Sequence, residues 1–143
     1  MSILSDLTSK DADRIYSGAC EVRLLRNREE LKMLVEHLSE IRKLTSNIPL
    51  GGALYPNIAH LKFAIKKLEF VKYSKDCLCM LYSEDQFYNP EVEQNIGNIR
   101  ILATKRIEDK WVDFYECECL ECGAKYRVTE GEYHYTWWAW KRI

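Results

Sequence analysis

Five of the six cysteines stand in two tight groups, Cys77-Leu78-Cys79 and Cys117-Glu118-Cys119-Leu120-Glu121-Cys122. Cysteines at such spacing supply thiolates for a tetrahedral metal site, in which sulfurs about 3.8 Å apart surround one ion at bonds of about 2.3 Å. Cys119 and Cys122, separated by two residues, can both face that ion. Gly123 directly after them permits the positive φ that turns the chain back, and Ala124-Lys125-Tyr126-Arg127-Val128 reads as the returning strand. Cys77 and Cys79 are separated by one residue only, and on a strand such residues share a face. The expected ligand set is therefore Cys77, Cys79, Cys119 and Cys122. Cys117, on the strand face of Cys119, and then His134 stand in reserve. Zinc in a structural role, Zn2+, is the expected cofactor.

Other uses of these cysteines fit less well. Cysteine is also a small buried hydrophobe. A redox role for Cys119 and Cys122 lacks the strand-to-helix setting of thioredoxin-like pairs. A catalytic zinc normally keeps an open position beside three protein ligands, often His or Glu, whereas four cysteines close the site.

The elements that must position these sulfurs divide the chain in two. Thr8 with Asp11 three residues on predicts a capped short helix that Gly18 ends. Cys20, Val22 and Leu24 alternate with charged residues and suggest a short strand. Asn27 with Glu30 predicts the next helix. Its stripe Leu31, Leu34, Val35, Leu38, Ile41 and Leu44 carries it to about residue 45. Pro49 and Gly51-Gly52 mark a loop. Pro56 then opens a helix with buried Ile58, Leu61, Ala64, Ile65, Leu68 and Val71, and an outward face of Lys62, Lys66, Lys67 and Lys72.

Beyond residue 75 the period changes to two. Residues 76–82, 98–107, 111–119, 124–129 and 133–142 read as strands. They are joined at Glu108-Asp109-Lys110, Cys122-Gly123 and Glu130-Gly131, with one long acidic connection from Ser83 to Gly97. The expected fold is α+β within a single domain 1–143: N-terminal helices (1–75) packed on a C-terminal antiparallel meander (76–143) with a metal knuckle.

Composition narrows the function classes. With 143 residues, 47% hydrophobic and 30% charged, the chain suits one globular domain. A net charge of -1 argues against a nucleic-acid binder that uses its whole surface. The first residues lack a basic and then apolar leader, and no stretch reaches the length a membrane helix needs, so a cytoplasmic location with reduced cysteines and no membrane partner is expected. Three histidines, His37, His60 and His134, build no Ser-His-acid arrangement, and Gly51-Gly52 is no phosphate loop. No enzyme activity is expected.

The aromatic tail Tyr133 to Trp140 reads first as a covered central strand, and second as a stacking or hot-spot surface. The lysines of 62–75 read as a solvated face. Glu116, Glu118 and Glu121 around the knuckle would repel phosphate.

Locally, Cys119-Leu120-Glu121-Cys122-Gly123 and the strand after it resemble the knuckle of zinc ribbons, over about fifteen residues. In overall character, the chain looks like the immunity proteins bacteria carry against toxins: a small cytoplasmic domain with an acidic loop, a Cys/Trp-rich tail and no active-site signature. That resemblance implies a non-enzymatic inhibitor with a protein partner, a basic toxin domain. The acidic residues Glu84, Asp85, Glu91 and Glu93 would cover that partner's substrate cleft. The alternatives are a nucleic-acid-binding or regulatory zinc-ribbon protein using the lysines of 62–75 and the aromatic tail, and a metal-dependent enzyme that would need Cys117 or His134 plus an open coordination position.

Overall fold

A computed structural model describes residues 2–106 and 112–143. The chain is α+β and divides into two compact units, a helical one (Met1–Lys75) and a sheet one (Asp76–Ile143). No helix among the described residues is long and apolar enough to cross a membrane.

The helical unit contains α1 (Ile3–Leu7), α2 (Ala12–Leu24), α3 (Arg28–Glu36), α4 (Leu38–Thr45) and α5 (Asn57–Tyr73). Side-chain caps set several starts. The Asp11 carboxylate accepts from Asp13 N–H at 2.9 Å and Arg14 N–H at 3.2 Å, and Asn27 Oδ1 accepts from Glu29 N–H at 2.9 Å and Glu30 N–H at 3.1 Å. Thr8 is no N-cap: it closes α1, its hydroxyl donating to Leu4 O at 2.8 Å.

Gly18 does not end a helix. It lies inside α2, where a Cβ would stand 3.1 Å from Asp6 Cβ and 3.2 Å from Leu7 side-chain atoms, so its missing side chain lets α1 approach. The helix runs on to Leu24, and the short strand suggested by the alternation at 20–24 is helix instead. The helix expected from 28 to 45 is interrupted at His37. Neither Gly nor Pro marks that break, and Leu31, Leu34, Leu38 and Ile41 are buried on both sides of it.

α5 buries a face rotated from the expected one, with Phe63 and His60 inside and Ile58 exposed. Lys67, expected outward, is 1% exposed and donates from Nζ to Arg23 O at 2.7 Å. That carbonyl lies in the last turn of α2, where it lacks an intrahelical donor, so a buried ammonium completes the helix end.

The sheet unit holds a 3-10 helix (Leu78–Glu84), α6 (Pro90–Ile96) and strands β1 (Ile99–Arg106), β2 (Val112–Cys119), β3 (Lys125–Glu132) and β4 (Thr136–Arg142), antiparallel in the order β1-β2-β3-β4. The expected turn at Glu108-Asp109-Lys110 lies outside the described residues. The β3–β4 turn falls at 133–135 rather than at Glu130-Gly131. Gly131 sits in β3 opposite Trp137, where any Cβ would overlap the indole ring.

Residues 76–82 form no strand. Leu78, Cys79, Leu81 and Tyr82 are buried while Met80 and Ser83 are exposed, the period of a three-residue turn. The long connection is likewise not all loop. Asn89 caps α6, Pro90 opens it and Gly97, at φ 98°, ends it.

The unit's core is aromatic. Tyr82 stacks on Trp140 with ring centres 4.2 Å apart, Tyr88 and Tyr126 meet Tyr82 edge-on, and Trp140 Nε1 donates to Tyr88 O at 2.9 Å.

Candidate metal centre

The β2–β3 turn carries one half of the centre. Cys119 N–H donates to Ala124 O at 2.8 Å and Gly123 N–H to Cys119 O at 2.9 Å, so the turn closes on itself. Gly123 takes φ 79° with no atom within 4 Å of where a Cβ would be. Backbone conformation, rather than crowding, is what requires glycine there. Leu120 N–H donates out of the turn to Asn98 O at 3.1 Å.

The other half is the start of the 3-10 helix. Cys77 precedes it with extended φ and ψ, Cys79 lies within it, and Met80 N–H donates to Cys77 O at 3.1 Å. Strand alternation was to have aligned these two sulfurs. A tight turn does so instead.

The four sulfurs of Cys77, Cys79, Cys119 and Cys122 all lie within 4.8 Å of one another. The two halves meet in pairs, Cys77 Sγ to Cys119 Sγ at 3.6 Å and Cys79 Sγ to Cys122 Sγ at 3.5 Å. A tetrahedral ion with bonds of about 2.3 Å needs sulfurs about 3.8 Å apart, so the spacing fits one ion. Four cysteines in this arrangement could hold a metal.

Around them, the Tyr126 hydroxyl stands 3.1 Å from both the Cys79 sulfur and the Cys79 carbonyl oxygen, and Glu121 Oε2 stands 3.6 Å from Cys77 Sγ. Three of the four cysteines are buried or half-buried, and Cys122 is exposed. Burial pushes the Cys77 thiol well up, with the facing thiols of Cys79 and Cys119 adding to it. Burial likewise pushes Cys79 up to about 11, against a smaller opposite pull from Tyr126. Without an ion Cys77 and Cys79 are therefore held as thiols, and a bound cation would have to displace their protons.

Among the described residues, the reserve ligands stay outside the group. Cys117 is fully buried in β2, opposite Ile101 and Tyr126, and burial alone pushes its thiol up to about 12. His134 is exposed in the 133–135 turn, beside the Tyr133 ring. Glu116 and Glu118 near the knuckle pair with Arg127 at 3.0 Å and Arg100 at 3.4 Å, which softens their repulsion of phosphate.

The acidic docking face separates into two kinds of residue. Glu84 and Glu91 are exposed and Asp85 is half-exposed. Glu93 is a correction: at 1% exposure it cannot meet a partner, because its carboxylate points inward to Tyr82 and Asn98. Sequence reasoning saw only a like-charged run. The cap, proline and glycine of α6 were the available sign that one of those acids would face inward.

Compared with family models, with curated proteins and with solved structures, the chain matches none of them.

Proposed function

We propose that Cys77, Cys79, Cys119 and Cys122 hold one structural zinc ion, and that the chain is a non-enzymatic binding protein whose sheet unit that ion stabilises. The convergence of four sulfurs within 4.8 Å carries this reading. Soft thiolate donors at tetrahedral spacing select zinc over the oxygen-seeking cations, and four of them leave no position open for substrate. Elemental analysis of protein purified without chelator should give one zinc per chain. A metal-free preparation with an intact sheet would overturn the reading.

The partner we infer is a basic protein, and the class of role is inhibition, as in an immunity protein that covers a toxin's cleft. Support comes from α6 and its surroundings, where exposed Val92 and Ile96 lie on the same short helix as Glu91, with Glu84 and Asp85 just upstream. An apolar centre with acidic neighbours suits a cationic protein surface. Co-expression with the product of the neighbouring gene tests it: rescue of growth, lost when Glu84, Asp85 and Glu91 become amides, is the expected result. Rescue that survives those changes removes this surface from the contact.

One observation favours a second reading. Arg28, Lys32, Lys72 and Lys75 surround a groove in the helical unit floored by Val35 and Val71. A groove so lined suits a phosphodiester backbone, and retention on immobilised DNA or RNA that falls steeply with salt would select this reading over the first.

A further inference from the structure

Helix α6 is turned inside out: Val92 is 40% and Ile96 49% exposed, while Glu93 is 1% exposed. Glu93 Oε1 accepts from the Tyr82 hydroxyl at 2.6 Å and from Asn98 Nδ2 at 3.3 Å. Its Oε2 is buried without a hydrogen-bond partner among the described residues. A carboxylate in that setting is costly, and an apolar side chain facing the same aromatic core would be cheaper. The location of its two partners suggests what the cost secures. Tyr82 belongs to the 3-10 helix that carries Cys79. Asn98 donates its N–H to Glu93 O at 3.0 Å, and its own carbonyl receives the knuckle's Leu120 N–H at 3.1 Å. One side chain thus reaches, through a single residue on each side, both segments that bring the sulfurs together.

We propose that Glu93 is a positioning residue for the metal centre, holding the 3-10 helix and the knuckle at the separation where four sulfurs share one ion. The proposal rests on the zinc reading above. The strut touches no sulfur. It fixes the two ligand-bearing segments before the ion arrives, so its loss weakens metal binding beyond any general loss of stability. Groups that orient metal ligands from outside the ligand sphere act in this way, and removing one typically lowers metal affinity about 10- to 100-fold.

The test is titration of the full chain with Co2+, read by thiolate-to-metal absorption, for wild type, four single variants and the Glu93→Gln/Tyr82→Phe double variant. Glu93→Gln keeps an acceptor for Tyr82 but loses the charge and buries an amide N–H2. Tyr82→Phe keeps the ring on Trp140 and removes the donor. Val128→Ala, in β3, lowers the stability of the sheet while touching neither segment's hydrogen bonds. Glu91→Gln changes an exposed acid on the same helix.

Expected are affinities about 10- to 100-fold lower for Glu93→Gln and Tyr82→Phe. The double variant should lose less than the product of the two single losses, since both act on the same Tyr82–Glu93 contact, one weakening it and the other removing it. Glu91→Gln should match wild type, and Val128→Ala should lose less affinity than Glu93→Gln at equal melting temperature. Glu93→Gln binding as wild type does, or losing affinity only in proportion to melting temperature as Val128→Ala does, overturns the strut. Wild type failing to bind Co2+ overturns the zinc reading itself, a separate and recognisable outcome.

Discussion

Residues 1–75 carry 13 Lys and Arg against 9 Asp and Glu, a formal +4, whereas residues 76–143 carry 8 against 13, a formal -5. The chain's near-neutral total conceals two units of opposite sign. Their interiors differ as much. The helical unit buries Leu7, Ile15, Val22, Leu31, Leu34, Ile41 and Leu68, nearly all aliphatic. The sheet unit buries Tyr82, Tyr88, Tyr126 and Trp140 around a cluster of cysteines. A body of under 80 residues has little core to spare, and a metal staple is one of the standard remedies. Five helices can close an aliphatic core on themselves; a four-stranded sheet beside one short helix and a 3-10 turn needs a further tie between its ends.

Removing the zinc proposed as that tie should produce the largest effect. All four tryptophans, Trp111, Trp137, Trp138 and Trp140, belong to the sheet unit, while all but one of the α-helices belong to the other. Tryptophan fluorescence and the helical circular-dichroism signal therefore report on different units. A structural zinc contributes an apparent 10–16 kcal/mol or so, comparable to the whole stability of an ordinary domain. Chelation, or Cys119→Ser, should shift the tryptophan emission to the red and leave most of the helical signal in place. Loss of both signals together would make the two units one cooperative body and break the comparison.

Leu68→Ala asks the converse question. Leu68 is fully buried in α5, and such a truncation costs about 2–5 kcal/mol through lost burial and the cavity left behind. The helical signal should melt earlier, with the metal-loaded tryptophan transition unmoved.

The same contrast explains what was legible in the sequence. Cys77, Cys79, Cys119 and Cys122 could be named as one group because few chemistries use cysteine at that spacing, and Gly123 announced the turn. The buried stripe Leu31, Leu34, Leu38 and Ile41 and the four strands β1 to β4 followed from period, whereas the face of α5 came out rotated and the break at His37 left no mark in the pattern. Residues 78–84 were misread because seven residues rich in Leu, Cys, Met and Tyr satisfy strand composition, and only the spacing of exposed Met80 and Ser83 separates a 3-10 turn from a strand. Gly18 was misread because a glycine that admits a neighbouring helix looks in sequence like one that ends its own. Lys67 was out of reach, a charged residue buried by a partner distant in sequence, Arg23 O. For Glu93 the end signals of α6 pointed to an inward-facing acid, but nothing in the sequence named Tyr82 as its partner.

A smaller effect separates the units at alkaline pH. Burial raises the hydroxyls of Tyr115 and Tyr126 and pushes the Cys117 thiol up to about 12, all in the sheet unit. A group whose folded pKa is raised contributes stability that is fully present below its unfolded pKa and is lost as pH rises toward the folded one. For Cys117 that window runs from its ordinary 9.0 to about 12. At one unit above the unfolded value the loss from this single thiol is about 1.4 kcal/mol. In alkaline titration the tryptophan transition should precede the helical one, and Cys117→Ala should make its pH dependence shallower. Coincident transitions, or a slope unchanged by that variant, would remove the buried thiol from the account.

The smallest effect uses one chemistry twice. Asn27 caps α3 in the helical unit, and Asn89 caps α6 in the sheet unit, accepting from Glu91 N–H at 2.9 Å. Replacing such a cap with alanine leaves helix N–H groups unsatisfied and costs about 1 kcal/mol. Asn27→Ala should lower the melting point of the helical signal, while Asn89→Ala should lower that of the tryptophan signal, each leaving the other probe still. Serine at either position keeps an acceptor and should recover most of the loss. The two sites differ in what lies downstream. α3 is held by the buried Leu31 and Leu34, whereas α6 is held by Glu93 and little apolar burial. Fraying at Asn89 therefore loosens the carboxylate that meets Tyr82 and Asn98, and Asn89→Ala should lower Co2+ affinity several-fold where Asn27→Ala does not. Equal affinities in the two variants would mean that α6 keeps its position without its cap, and that the hydrogen bonds of Glu93 suffice to hold the helix in place.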